Sequence, residues 1–219
     1  MKLRPTANLK ANVERNLIAY AAAASAAGVA IAALTQPAEA KVIYTPAHKT
    51  IGNHHHYNLD VNGDGKTDFV LNNASIKSGS IGQSWLSAQP GVSNGVAGYA
   101  NSFSWASALK SNVKIGAKKS FFPGQVVLAF LYENGSGSLD FGQWDNVKKR
   151  YLGLKFMIKG QVHYGWARLN VTAQNGSITG KLTGYAYETK VNKAILAGDE
   201  GTGAGLGQLA LGAAGGGEK

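Results

Sequence analysis

Residues 150–189 alternate apolar and polar side chains with a period of two, in three consecutive stretches separated by turn signals. A period of two suits an extended chain with one face buried, so this segment confines the fold to one built on sheets. In RYLGLKFMIK, Leu152, Leu154, Phe156 and Ile158 alternate with Gly153, Lys155, Met157 and Lys159. Gly160 and Gln161 make a short turn into QVHYGWARLNVTA. There Val162, Tyr164, Trp166 and Arg168 lie on one face, and Gly165, Ala167, Leu169 and Val171 on the other. Asn175-Gly176 is a hairpin signal, because both residues accept the left-handed backbone of a tight turn. SITGKLTGYAYET then reads as a third strand, with Ile178, Leu182 and Ala186 on one side. Tyr185 and Tyr187 share its opposite face with Thr179, Lys181 and Thr183. Neighbouring strands joined by such short turns pair antiparallel, which predicts a meander.

Upstream, QVVLAFLY (residues 125–132) is almost wholly apolar and reads as a central strand covered on both faces. Residues 42–45 and the short apolar flanks of residues 60–68 add three shorter strands. Residues 80–110 are rich in Ser, Gly, Asn and Gln, and read as a long loop in which NSFSWASALK forms a short helix. The expected fold is all-β: an antiparallel β-sandwich of about seven to ten strands, with that Ser/Gly-rich loop lying across one end.

One short segment carries chemistry. In YNLDVNGDGKTDFVL, Asp60, Asn62, Asp64 and Asp68 fall at positions one, three, five and nine, with Gly65 at position six. A chain winding around Ca²⁺ needs an oxygen ligand at every second residue and then a tight turn that glycine makes most easily. Asp60, Asn62 and Asp64 would supply side-chain oxygens, Lys66 its main-chain carbonyl, and Asp68 a ligand held directly or through water. Position twelve is Leu71, where the helix-flanked calcium hand has a bidentate Glu, and the flanks read as strands. The match is to the broader D-x-[DN]-x-D-G-x-x-D loop, similar to those of dockerins, thrombospondin type 3 repeats and integrin-type propeller blades. It occurs once, which disfavours a tandem array. Asn62-Gly63 and Asp64-Gly65 would also serve as plain hairpin turns, but a plain turn has no use for Asp68.

The ends of the chain differ from its middle. Residues 1–16 carry Lys2, Arg4, Lys10 and Arg15 against Glu14, and an apolar run spans residues 17–34. Ala38-Glu39-Ala40 closes it with small residues at the two required positions. A basic head, an apolar middle and an A-x-A site make a secretory signal peptide over residues 1–40, cut after Ala40. A membrane anchor is the competing reading, but the run is mostly alanine and glycine. Residues 41–198 then form the domain, and the Gly/Ala-rich residues 199–219 a disordered tail. With no cysteine, an exported domain relies on packing, and on any bound ion, in place of disulfides. The expected location is secreted, extracellular or at the cell surface, with the periplasm an alternative.

These residues also bear a resemblance. LDVNGDGKTDF (residues 59–69), RYLGLKFMIKGQVHYGWARLNV (150–171) and GYAYETKVNKAILAG (184–198) resemble a family of exported proteins of unknown function from Acidobacteria and other environmental bacteria. Such proteins often end in a Pro-Glu-Pro sorting tail, and GLGQLALGAAG (205–215) is similar to part of its apolar segment. The chain ends in Gly217-Glu218-Lys219, without the Pro-Glu-Pro triplet or the closing arginines. The resemblance implies an exported bacterial protein and brings no catalytic assignment.

Other features read more plainly. His54-His55-His56 alternate between strand faces, so at most two join one ion with His48 or His163, and a solvated loop is the simpler reading. Lys118-Lys119 and Lys148-Lys149-Arg150 are basic spots without a nucleic-acid motif, in a chain of net charge +10. Trp85, Trp105, Trp144 and Trp166 belong to the core by default, or include a sugar-stacking platform. Outside the loop the acids Glu133, Asp140, Asp145, Glu188, Asp199, Glu200 and Glu218 are scattered, and no nucleophile elbow or HExxH is present. A non-enzymatic role is therefore expected. The sequence points to an exported, calcium-binding structural or binding protein of the cell surface or extracellular matrix. Extracellular polysaccharide or a second copy is its expected partner, not nucleic acid, with no stable membrane insertion after signal cleavage. A carbohydrate-binding, lectin-like module and a hydrolase with an unrecognised site are the alternatives.

Overall fold

A computed structural model describes residues 40–201, and they are all-β, with no helix among them. The signal peptide and most of the tail expected from sequence lie outside the described residues. The first strands are β1 (Val42–Ile51), β2 (His56–Leu59), β3 (Phe69–Ser78), β4 (Ile81–Pro90), β5 (Gly95–Ala100), β6 (Ser104–Ala106) and β7 (Lys114–Ile115). Then follow β8 (Phe121–Phe122), β9 (Val126–Asn134), β10 (Gly137–Phe141), β11 (Arg150–Ile158), β12 (Gln161–Gln174), β13 (Ser177–Glu188) and β14 (Ile195–Leu196).

Twelve of these strands make one sheet, in the order β1-β13-β12-β11-β5-β6-β9-β4-β3-β2, with β8 on β5 and β10 on β9. The sheet folds over at β5, which pairs with β11 through Gly95 and Val96 and with β6 through Gly98, Tyr99 and Ala100. One half therefore lies over the other, and β13 contacts β3, β4 and β9 across the core. The two packed faces match the expected sandwich. The differences are that short β5 and β6 stitch them into a single sheet, that β6 pairs with β9 in parallel rather than antiparallel, and that the described residues hold fourteen strands rather than seven to ten. Leu59, Phe69, Leu71, Leu86, Leu128, Leu152, Leu154, Phe156 and Leu169 fill the space between the faces. Trp144 reaches the same core from the β10–β11 connection, its indole N–H donating to the Ala106 carbonyl at 3.1 Å.

The meander of β11, β12 and β13 has the expected pairing and direction. Its first turn is Lys159-Gly160, one residue earlier than the sequence reading, with both residues at positive φ. Leu152, Leu154 and Phe156 are fully buried, as their alternation requires. Two expectations fail here. The opposite face is also covered: Tyr151, Tyr164 and Trp166 pack with Leu109, Ile115, Ile195 and Ala197 in a second cluster. In addition, the β12–β13 register shifts between Arg168 and Leu169, leaving Thr183 as an extra residue in β13. A bulge of one residue exchanges the two faces of a strand beyond it. Ile178 and Leu182 thus face the main core, while Ala186 faces the second cluster. Tyr185 and Tyr187, assigned to the opposite face from Leu182, turn back onto the main core.

Residues 80–110 are not the expected long loop with a short helix, but hold β4, β5 and β6. In β4 the alternation is real, but small residues write it. Leu86 and Ala88 face the core, and Ser84 and Ser87 are buried as well. Without bulky apolar side chains the period of two is hard to see in composition. The domain edge also moves. Trp166 Nε1 donates to the Asp199 carbonyl at 3.1 Å, and Arg168 Nη1 pairs with Glu200 Oε1 at 2.7 Å. Asp199 and Glu200, expected to begin a disordered tail, are therefore bonded to β12.

Candidate functional site

The segment from Asp60 to Asp68 joins β2 to β3, and those strands pair from His56–Asn72 to Leu59–Phe69. The loop closes on itself through its acids. Asp60 accepts from the backbone N–H groups of Gly63 (2.8 Å), Asp64 (3.3 Å) and Gly65 (2.7 Å). Asp64 accepts from Lys66 N at 2.9 Å and from the Asn62 amide at 3.2 Å. Gly63 and Gly65 both lie at positive φ, which is why glycine stands there. Asp68 sits beneath, only 7% exposed, with one carboxylate oxygen accepting from Val61 N at 2.8 Å.

Burial pushes the Asp68 carboxyl above the ordinary Asp range, and the charges of Asp60 and Asp64 add to the rise. The N–H of Val61 opposes it. Three acids thus share one small loop, and the charges of two of them reach the third. The donor set is all oxygen, which fits a hard divalent cation. Hydrogen bonds link Asp60, Asn62, Asp64 and Lys66 to one another along the loop, while Asp68 is held through Val61 N. Their carboxylates, however, are engaged by the loop's own N–H groups. Among the described residues no three or more His, Cys, Asp or Glu side chains stand together as a ready-made metal-holding group.

The loop is tied to the opposite half of the domain. The Asp68 carbonyl accepts from Gly91 N at 2.8 Å and from the Asn94 side-chain amide at 3.0 Å. Asn94 Oδ1 in turn accepts from Met157 N of β11 at 3.1 Å. These bonds connect the end of the loop to the residue preceding β5 and to β11.

The histidines do not converge. His54 shares a hydrogen bond with Ser75 Oγ at 3.3 Å, and His55 Nδ1 donates to the Asn53 carbonyl at 2.8 Å. His163 is buried elsewhere, its Nδ1 donating to the Glu188 carbonyl at 3.0 Å. Of the four tryptophans, Trp144 and Trp166 are fully buried core residues.

Trp85 and Trp105 have a different setting. They line a cleft of about 780 Å³ on the outer side of β4 and β9, together with Tyr99, Phe103, Phe130 and Phe141. Trp85 and Phe130 are directly opposite on β4 and β9. The β5–β6 hairpin makes one wall, held by Asn101 Oδ1, which accepts from Trp105 Nε1 at 3.0 Å and Phe103 N at 3.2 Å. Gly142, at φ 99°, makes another, because a Cβ there would lie 2.4 Å from the Leu128 carbonyl and 3.0 Å from the Trp105 ring. Polar groups at the surface of the cleft come from Asn101, Ser102, Ser104 and Gln125. Gln125 Nε2 donates to Ser87 Oγ at 2.8 Å. Sequence reasoning missed this grouping except for its two tryptophans. The available signal was Phe103 and Trp105, two residues apart and so on one side of an extended chain.

No protein-family model, curated protein or solved structure matches this chain.

Proposed function

We propose that this chain is an exported, calcium-binding all-β protein that acts as a binding or structural component of the cell surface or extracellular matrix. The observation that carries this reading is the buried Asp68 carboxylate lying beneath Asp60 and Asp64 in a loop whose offered donors are all oxygens. Asp60, Asn62, Asp64 and Asp68 through their side chains, and Lys66 through its carbonyl, would hold the ion, which would supply the positive charge that three neighbouring acids lack. The hydrogen bonds that Asn94 donates to the Asp68 carbonyl and accepts from Met157 N would carry the resulting order into the sheet.

A site without a bidentate Glu belongs to the weak class, with Kd about 10⁻⁴–10⁻³ M. At about 10 mM Ca²⁺, mass action should then raise the melting temperature by roughly 3–10 °C. Asp64→Ala should remove most of that shift. Asp68→Asn should show a more particular pattern. In chelator it should melt at or above the parent temperature, because a buried charge beside two like charges is gone. In Ca²⁺ it should gain less than the parent. Identical parent melts in Ca²⁺ and chelator would overturn the reading.

Lys41, the residue after the expected cut, is held by the domain: its N–H donates to Thr189 Oγ1 at 2.9 Å and its carbonyl accepts from Thr189 N at 2.9 Å, so a chain beginning at Lys41 keeps both bonds. Mass spectrometry of the exported protein should find Lys41 at the N-terminus. An intact Met1 recovered with membranes would show that the apolar run is an anchor.

A further inference from the structure

We propose that the aromatic cleft binds a neutral saccharide chain. This deepens the reading of the chain as an extracellular binding protein and names its ligand class, and it stands apart from the calcium loop.

Three properties of the lining select that chemistry. The first is the density of aromatic rings. Six of the cleft's residues are Trp, Tyr or Phe, and those at the rim are kept in water: Phe103 is 67% exposed and Phe141 43%. Single exposed apolar side chains are ordinary, but two around one concave aromatic surface mark a binding face. The rings do not stack flat on one another. Phe103 meets Trp105 edge-on at 85°, and Phe130 meets Phe141 at 46°. Trp105 is itself largely buried, so Phe103 and Phe141 at the rim are the rings that would meet the C–H faces of pyranose rings.

The second property is the kind of polar group present. Asn101 and Gln125 carry amides, and Ser102 and Ser104 hydroxyls, all groups that can donate and accept. Asn101 spends its oxygen on Trp105 and Phe103, which leaves its amide N–H groups for a ligand. Gln125 spends its nitrogen on Ser87, which leaves its carbonyl oxygen. Sugar hydroxyls use both kinds of partner, whereas a wholly apolar ligand would leave these groups desolvated and unpaired.

The third property is charge. Among the described residues no Asp, Glu, Lys, Arg or His lines the cleft, although the chain carries a net charge of +10. An acidic polysaccharide would find its counter-charges elsewhere on the surface, so the cleft itself selects a neutral chain. Its volume of about 780 Å³ lies within the range of small-ligand sites, and the glycine-tight contact of Gly142 on Trp105 fixes its wall before any ligand arrives.

The test is affinity electrophoresis of the exported protein through gels containing a neutral β-glucan, mannan or xylan, with alginate as the charged control. Tryptophan fluorescence titrations with the matching oligosaccharides would accompany it. At least one neutral polymer should retard the protein and its oligosaccharide should perturb the fluorescence. Phe103→Ala, at a largely exposed position that folding does not require, should weaken binding about tenfold, and Trp85→Ala at least as much. A Lys148→Ala/Lys149→Ala variant should bind as the parent does. Running each gel in Ca²⁺ and in chelator separates the two readings. Binding without a calcium-dependent melt leaves the cleft standing and removes the loop; a calcium-dependent melt without binding does the reverse. The saccharide assignment is overturned if no neutral polymer retards the protein, if retardation survives both aromatic substitutions, or if only alginate acts.

Discussion

Replacing Phe156 with Ala should lower the stability of the domain by about 3–5 kcal/mol, a large part of the 5–15 kcal/mol typical of a folded domain. Phe156 is fully buried at the centre of the main core. Its ring meets Phe69 of the facing half edge-on at 6.5 Å, and Tyr187 of β13 at 5.8 Å. Truncation removes the transfer free energy of the ring and leaves a cavity between the halves, which the paired strands on both sides prevent from closing. Lys155, the next residue, points the other way, its ammonium 5.8 Å from the centre of the Phe121 ring. Lys155→Ala should change stability by less than about 1 kcal/mol, the scale of an exposed cation–π contact. Urea denaturation of the two variants measures the contrast. Equal losses, or a larger one at Lys155, would mean that β11 is out of register, since a slip of one residue exchanges its faces.

That contrast was readable from the sequence because Leu152, Leu154 and Phe156 are large and unmistakably apolar, so the period of two is written in bulk. The same physics operates in β4 and was not readable there. Ser84 and Ser87 occupy buried positions that a scan for apolar residues passes over, and a Ser/Gly-rich stretch looks like loop. The Thr183 bulge left no trace either, because Thr-Gly is unremarkable in a strand and the shift exists only relative to β12. Locality draws the same line through the functional residues. The candidate calcium loop lies within nine consecutive residues, so its spacing is its geometry. The aromatic cleft draws on β4, the β5–β6 hairpin, β9 and the end of β10, which only the folded sheet brings together. Beyond the Phe103–Trp105 spacing, nothing in the sequence distinguishes Trp85 and Trp105 from Trp144 and Trp166, although the first pair lines a cleft and the second lies in the core.

Trp166 is the residue for which the face of the strand mattered most, and Trp166→Ala should cost about 3–5 kcal/mol. Alternation alone places it opposite the main core with Tyr164 and Arg168, on a face that a simple sandwich leaves in water. Instead it is fully buried beneath β7, β14 and residues 197–201. Tyr151 meets it edge-on at 5.2 Å and Tyr44 lies tilted at 5.8 Å. Arg168 stacks at 5.9 Å while holding Glu200, and the indole N–H holds the Asp199 carbonyl. Removing the indole should therefore release the covering segment as well as lower global stability. Limited proteolysis under native conditions should cut the variant within residues 189–201 well before the remainder of the domain, because segments with few remaining buried contacts open first. Trp166→Phe separates packing from tethering. It keeps most of the apolar contact and loses the N–H, so it should cost about 1–2 kcal/mol, with a smaller gain in cleavage. A Trp166→Ala protein within about 0.5 kcal/mol of the parent, and no easier to cut there, would show that the second cluster does not form and that the outer face of β12 is open to solvent.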